Sequence, residues 1–161
     1  MKQNIFRGLG IALVTPFTES GDIDYTALEN IIEYQINNGA DFLCILATTS
    51  ESPCLSKQEK LDIQHFIVKL VNGRLPIVLG CGGNNTYAIA EELRNGDFKG
   101  IDGILSVCPY YNKPSQEGLY QHFKTLANAT ELPIILYNVP GRTGINMTSE
   151  TTLRLANDCE N

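Results

Sequence analysis

The sequence predicts an α/β protein built on a parallel sheet with right-handed crossovers. Two observations carry this. Short apolar runs alternate with helix-period segments, giving five strand–helix units at intervals of about thirty residues. The runs are continuous rather than alternating, as strands covered on both faces require. Small, hydroxyl-bearing or aromatic residues follow them: Thr15, Thr48-Thr49-Ser50, Gly82-Gly83, Tyr110-Tyr111 and Tyr137. Folds of this kind gather their chemistry at the carboxyl ends of the strands.

The first apolar run is Gly10–Val14, leading into Thr15-Pro16-Phe17. A helix is predicted from about Asp24 to Asn38. Leu28, Ile31, Ile32 and Ile36 fall at helical spacing, and Gly39 is a natural stop. Phe42–Leu46 is the second strand. Ser56-Lys57-Gln58-Glu59 is a capping box that opens the next helix, with Leu61, Phe66, Ile67, Leu70 and Val71 as its apolar face and Asn72-Gly73 as its end. Pro76–Leu79 is the third strand, followed by a helix from about Thr86 to Arg94. Ile101–Val107 holds the fourth strand. Ser115-Gln116-Glu117 starts the next helix, which carries Leu119, Tyr120, Phe123 and Leu126 to about Thr130. Ile134–Leu136 is predicted as a buried fifth strand, and a last helix lies near Thr148 to Ala156.

At 161 residues the chain is long enough for one domain with a full core. Pattern alone leaves two architectures: a five-stranded doubly wound sheet, or part of an eight-stranded barrel, which needs about 250 residues. The net charge of −6, with no basic run, argues against nucleic acid or an anionic membrane surface as a partner. No stretch approaches the roughly 20 apolar residues of a membrane span, and Met1–Gly8 lacks the apolar run of a signal peptide. The five cysteines are widely spaced and without metal-ligand spacing. They read as incidental thiols of a reducing cytoplasm.

Carboxylates are scarce at the strand ends, Glu51 being the main one, so a metal site or a glycosidase-like carboxylate pair is poorly supported. Thr48-Thr49-Ser50-Glu51 offers hydroxyls and consecutive N–H groups, a cradle for a small carboxylate or simply a Thr/Ser turn. Gly80-Cys81-Gly82-Gly83-Asn84 lacks the Gly-Lys-Ser/Thr ending of a phosphate loop, and reads better as crowded backbone. Tyr110 and Tyr111 suit packing or an interface as well as proton transfer. Tyr137 has the better claim to proton transfer, being a phenol at a strand end. Arg142, on a stiff turn after Pro140-Gly141, suits a substrate carboxylate as well as a surface ion pair. His65 and His122 read as surface or packing residues.

Four segments together resemble the dihydrodipicolinate synthase family of pyruvate-dependent class I aldolases, a superfamily that also holds N-acetylneuraminate lyase. They are Ala12–Phe17, Thr48–Ser52, Pro109–Phe123 and Tyr137–Gly144. The resemblance implies a (β/α)₈ TIM barrel with a small C-terminal helical domain, of which this chain holds the first five strand–helix units. It implies condensation of pyruvate with L-aspartate 4-semialdehyde, a lyase reaction of lysine and diaminopimelate biosynthesis. Pyruvate is held as a Schiff base on a lysine, and no cofactor is needed. By motif, Tyr137 is the proton donor and acceptor, in a relay with Thr48 and with Tyr111 from a neighbouring subunit. Thr49 binds the pyruvate carboxylate and Arg142 that of the semialdehyde. The family's assemblies are dimers or tetramers in the cytoplasm. Another 2-oxo acid aldolase, such as N-acetylneuraminate lyase, is the alternative; Tyr111 and Arg142 together favour the synthase branch.

Three departures from the family pattern stand out. The usual Gly-Thr-Thr-Gly-Glu is Ala47-Thr48-Thr49-Ser50-Glu51 here, which predicts a reshaped cradle. Asn84 and Tyr110 match an allosteric lysine site, but Ala88 replaces its Glu, so feedback inhibition by lysine is in doubt. The Schiff-base lysine is expected roughly five residues past Asn161. The 161 residues alone are therefore expected to be inactive, with unpaired sheet edges and a tendency to associate.

Overall fold

The structure, a computed structural model, describes residues 5–161. Contacts divide them into two compact units. One comprises residues 5–80 with 100–102, the other 81–99 with 103–161.

In the first unit, strands β1 (Gly10–Ala12), β2 (Phe42–Ile45) and β3 (Ile77–Gly80) run parallel. Gly10 stands opposite Phe42, and Leu43 opposite Ile77. Helix α1 (Tyr25–Asn37) is capped by Asp24, whose carboxylate accepts from the Ala27 N–H at 2.8 Å. It buries Leu28 and Ile32. The predicted capping box forms: the Glu59 N–H donates to Ser56 Oγ at 3.2 Å, and the Ser56 N–H to Glu59 Oε2 at 2.7 Å. It opens α2 (Lys57–Val71), which ends at left-handed Asn72. The buried stripe of α2 is Ile63, Gln64, Ile67 and Val71, while Leu61, Phe66 and Leu70 flank it half-buried. The face is thus rotated from the predicted one toward Ile63, one turn before Ile67.

In the second unit, β4 (Gly103–Val107) and β5 (Ile134–Tyr137) pair in parallel, from Ile104 opposite Ile134 to Val107 opposite Tyr137. Helices α3 (Thr86–Asn95), α4 (Gln116–Ala127), α5 (Pro140–Thr143) and α6 (Ser149–Asp158) accompany them. Helix α4 buries Leu119, Tyr120, His122, Phe123 and Leu126. Tyr120 joins α4 to α6: its hydroxyl donates to Asp158 Oδ2 at 2.6 Å, and Arg154 stacks 3.5 Å from its ring centre. His122 joins α4 to α3 through a 2.7 Å hydrogen bond between Nδ1 and Thr86 Oγ1, and its Nε2 is buried without a partner. Burial pushes the His122 imidazole down to about 4.

One expectation needs correcting. The fifth strand is not buried: Ile134, Ile135, Leu136 and Tyr137 are all half-exposed. Part of the reason is an apolar cavity of about 180 Å³ beside Ile134 and Leu136, walled by Phe123 of α4 and Leu155 of α6. The Asn161 carbonyl accepts from the Ile134 N–H at 2.7 Å, and its amide donates to the carbonyls of Ala127, Thr130 and Leu132. None of the five cysteines is in a disulfide. No helix among the described residues is long and apolar enough to cross a membrane.

Candidate active site

In the first unit, the chain leaves β2 through Leu46, which is buried and left-handed at φ 52°. That conformation ends the strand one residue earlier than its apolar pattern suggests. Thr48–Ser50 then form a single 3₁₀ turn, closed by the Ser50 N–H on the Ala47 carbonyl and the Glu51 N–H on that of Thr48, each at 3.1 Å. These two N–H groups are used inside the turn, so they are not part of a carboxylate cradle. The side chains of Thr48 and Thr49 are exposed. The left-handed residue after the turn is Glu51, at φ 54°, and not Ser50. Ser50 is 2% exposed; its Oγ donates to the Leu13 carbonyl at 2.6 Å, and its own carbonyl accepts from Thr15 Oγ1 at 2.8 Å. The Ser50 hydroxyl therefore ties the turn to the end of β1.

In the second unit, β4 delivers Tyr110 and Tyr111. Tyr111 is left-handed at φ 69°, and the Asn112 N–H reaches back to the Tyr110 carbonyl at 2.8 Å, a tight and strained turn. The ring of Tyr111 is 89% exposed. Asn112 Nδ2 donates to the Asn84 carbonyl at 2.9 Å, and the Tyr110 hydroxyl stands over Gly83. Asn84 and Tyr110, the two candidate regulatory residues, thus belong to one pair of adjoining loops. Ala88 lies nearby in the first turn of α3, where its N–H is capped by Asn85 Oδ1 at 3.1 Å.

Tyr137 is the last residue of β5. Its carbonyl accepts from the Cys108 N–H at 3.0 Å, and its side chain is half-buried. The stiff turn carrying Arg142 is a one-turn helix, α5, with Pro140 at its first position and left-handed Gly144 (φ 71°) closing it. Buried Thr143 braces it, its Oγ1 donating to the carbonyls of Val139 (3.2 Å) and Ile145 (2.9 Å). Arg142 is exposed, and the ion pairs Arg74–Glu33, Arg94–Glu91 and Arg154–Glu117 among the described residues do not include it. Lys113 lays its stem against Gly144, where a Cβ would stand 3.2 Å from its Cε. No group of three or more His, Cys, Asp or Glu among the described residues could hold a metal ion.

Residues 5–161 match the family model described as the dihydrodipicolinate synthetase family. The chain belongs to that family. It is 56% identical, over 161 residues, to the curated 4-hydroxy-tetrahydrodipicolinate synthase of Phocaeicola vulgatus, covering all of this chain and 54% of that protein. The crystal structure of dihydrodipicolinate synthase from Aquifex aeolicus superposes with a TM-score of 0.90 at 45% identity, over 97% of this chain and 53% of that one. The chloride-inhibited dihydrodipicolinate synthase of Acinetobacter baumannii, crystallised with pyruvate, matches with a TM-score of 0.88 at 44% identity, over 92% of this chain and 51% of that one. The chain therefore spans about half the length of the curated relatives it matches. The expected fold class holds: these are the first five strand–helix units of a TIM barrel of the dihydrodipicolinate synthetase family.

Sequence reading missed Thr15 and Ser50 as a linked pair. Their partners lie 35 and 37 residues away, and no periodicity reports such a contact. The glycine-rich stretch was legible as crowded backbone. A Cβ on Gly80 would stand 2.5 Å from the Leu46 carbonyl oxygen, and one on Gly82 would stand 2.9 Å from the Val107 nitrogen.

Proposed function

We propose that this chain is the N-terminal part of the catalytic barrel of a 4-hydroxy-tetrahydrodipicolinate synthase. In this reading the complete barrel condenses pyruvate with L-aspartate 4-semialdehyde in lysine and diaminopimelate biosynthesis. The observation that carries it is the family match over residues 5–161, with each motif residue at or after the carboxyl end of its strand. The pyruvate complex of the Acinetobacter baumannii relative supports the first substrate.

The residues divide the work by chemistry. The hydroxyl of Thr49 takes the pyruvate carboxylate. Pyruvate forms a Schiff base with a lysine amine, losing water; loss of a methyl proton then gives an enamine whose carbon attacks the aldehyde. The Tyr137 phenol gives the proton that the new alkoxide needs, and Thr48 and Tyr111 pass protons to and from it. Arg142, exposed on its short helix, offers a two-pronged contact to the carboxylate of the semialdehyde. The 89% exposure of Tyr111 on a strained backbone supports its use by a neighbouring copy in a homo-oligomer. The lysine lies on the strand that follows Asn161 in the complete barrel.

Pyruvate with borohydride, followed by mass spectrometry, tests the reading. The 161-residue chain should gain no reduced adduct. The complete barrel, which includes the lysine-bearing strand, should gain one, and should consume pyruvate only when aspartate semialdehyde is supplied. An adduct on the 161 residues, or cleavage of sialic acid by the longer chain, would refute it.

A further inference from the structure

We propose that Ser50 and Thr15 are positioning residues that hold the Thr48-Thr49 turn in the shape needed to take the pyruvate carboxylate. The inference rests on the proposed function for its substrate and on the geometry of the first unit for its residues. The turn is bounded by two left-handed non-glycine residues, Leu46 at φ 52° and Glu51 at φ 54°. Such residues persist only where their surroundings over-determine them. Three contacts do so here. Ser50 Oγ donates to the Leu13 carbonyl, Thr15 Oγ1 donates to the Ser50 carbonyl, and the backbone of Gly80 presses against Leu46 and Ala47. Leu13 is itself fixed, its N–H donating to the Cys44 carbonyl at 2.9 Å. The two hydroxyls thus bracket Ser50 from both its side chain and its backbone, and both are buried, at 2% and 6% exposure.

The bracket leaves the threonines free. The buried hydroxyls bond the Leu13 and Ser50 carbonyls, while the side chains of Thr48 and Thr49 stay exposed. A glycine at position 50, the usual family residue, could accept from Thr15 but could not donate to Leu13. The serine is this chain's own means of fixing the cradle, and it predicts a subsite stiffer than the glycine version. Stiffness of this kind lowers the ordering cost of binding a small anion.

Two measurements test it. In the 161-residue chain, amide exchange of Ser50 and Glu51 should quicken on the order of tenfold in Ser50→Ala and in Thr15→Val, and stay near the parent rate in Thr15→Ser. In the complete barrel, the same two variants should raise the pyruvate KM on the order of tenfold. The semialdehyde KM and kcat should stay within about twofold, and Thr15→Ser should restore the pyruvate KM. Unchanged exchange in both variants would overturn the bracket. A parallel shift in both KM values and kcat would overturn its link to pyruvate. Should a variant fail to fold, Ser50→Gly, which keeps the Thr15 bond, gives the same exchange and KM readouts. Absence of pyruvate turnover in the parent enzyme would refute the proposed function and leave the exchange result to judge the bracket.

Discussion

His122 makes the folded protein sensitive to mild acid. The ring is 3% exposed, one nitrogen bonded to Thr86 and the other facing no partner. Protonating it would place an uncompensated charge inside the helix layer, and burial accordingly lowers its pKa from 6.5 to about 4. The unfolded chain binds that proton more readily, so stability is full above the unfolded value and is lost as pH falls toward the folded one. Between pH 7 and pH 5 the loss amounts to about 2 kcal/mol. His122→Gln isolates it, because glutamine keeps a polar atom for Thr86 and cannot titrate there. Urea melts followed by circular dichroism at pH 7 and pH 5 give the readout. The parent chain should lose about 2 kcal/mol more than the variant over that interval, with the carboxylates common to both cancelling. If both proteins lose stability in parallel, the histidine is not held neutral by burial and the reasoning fails.

Two further outcomes follow from named contacts. Gly80→Ala would place a Cβ 2.5 Å from the Leu46 carbonyl oxygen and 2.7 Å from the Ala47 Cα. Neither atom can yield without moving the backbone, so a loss of about 1–3 kcal/mol is expected in urea melts. Gly83→Ala, whose Cβ would meet Ile89 at 3.6 Å and the Tyr110 hydroxyl at 4.0 Å, both ordinary contacts, is the matched control and should change little. Tyr137→Phe, in the complete barrel, should lower kcat by roughly 10²–10⁴ while the borohydride adduct with pyruvate still forms. Retained turnover would remove the phenol from proton transfer.

The parts of the fold that repeat were readable, and the parts that depend on distant partners were not. Strand–helix alternation, the Ser56–Glu59 box and the Asn72-Gly73 stop are local signals, and each appears where its pattern placed it. Leu46 looked like the last residue of β2 because it is apolar, yet a left-handed backbone turns it out of the strand; hydropathy carries no φ. His122 reads as either a surface or a packing residue on α4, and its bond to Thr86 with its burial decides for packing. Ser50 signalled a change from the family pattern, but its hydroxyl's target is set by how β1 lies beside β2. Arg142 was legible as a candidate from its short stiff segment; the bracing by Thr143 was not, since it depends on where the chain goes after Gly144.

The thiols offer a practical handle. Cys44, Cys81 and Cys108 are buried, and burial pushes the Cys44 thiol up to about 11 and raises that of Cys108 as well. Cys159 is half-covered, with its thiol also raised by burial. Cys54 stands exposed in the 3₁₀ turn of Ser52–Cys54, its N–H bonded to the Glu51 carbonyl. A maleimide dye at neutral pH would therefore mark that one sulfur first. The fluorophore would sit a few residues from the two exposed threonines, where its emission could follow a small keto acid arriving without any need for turnover.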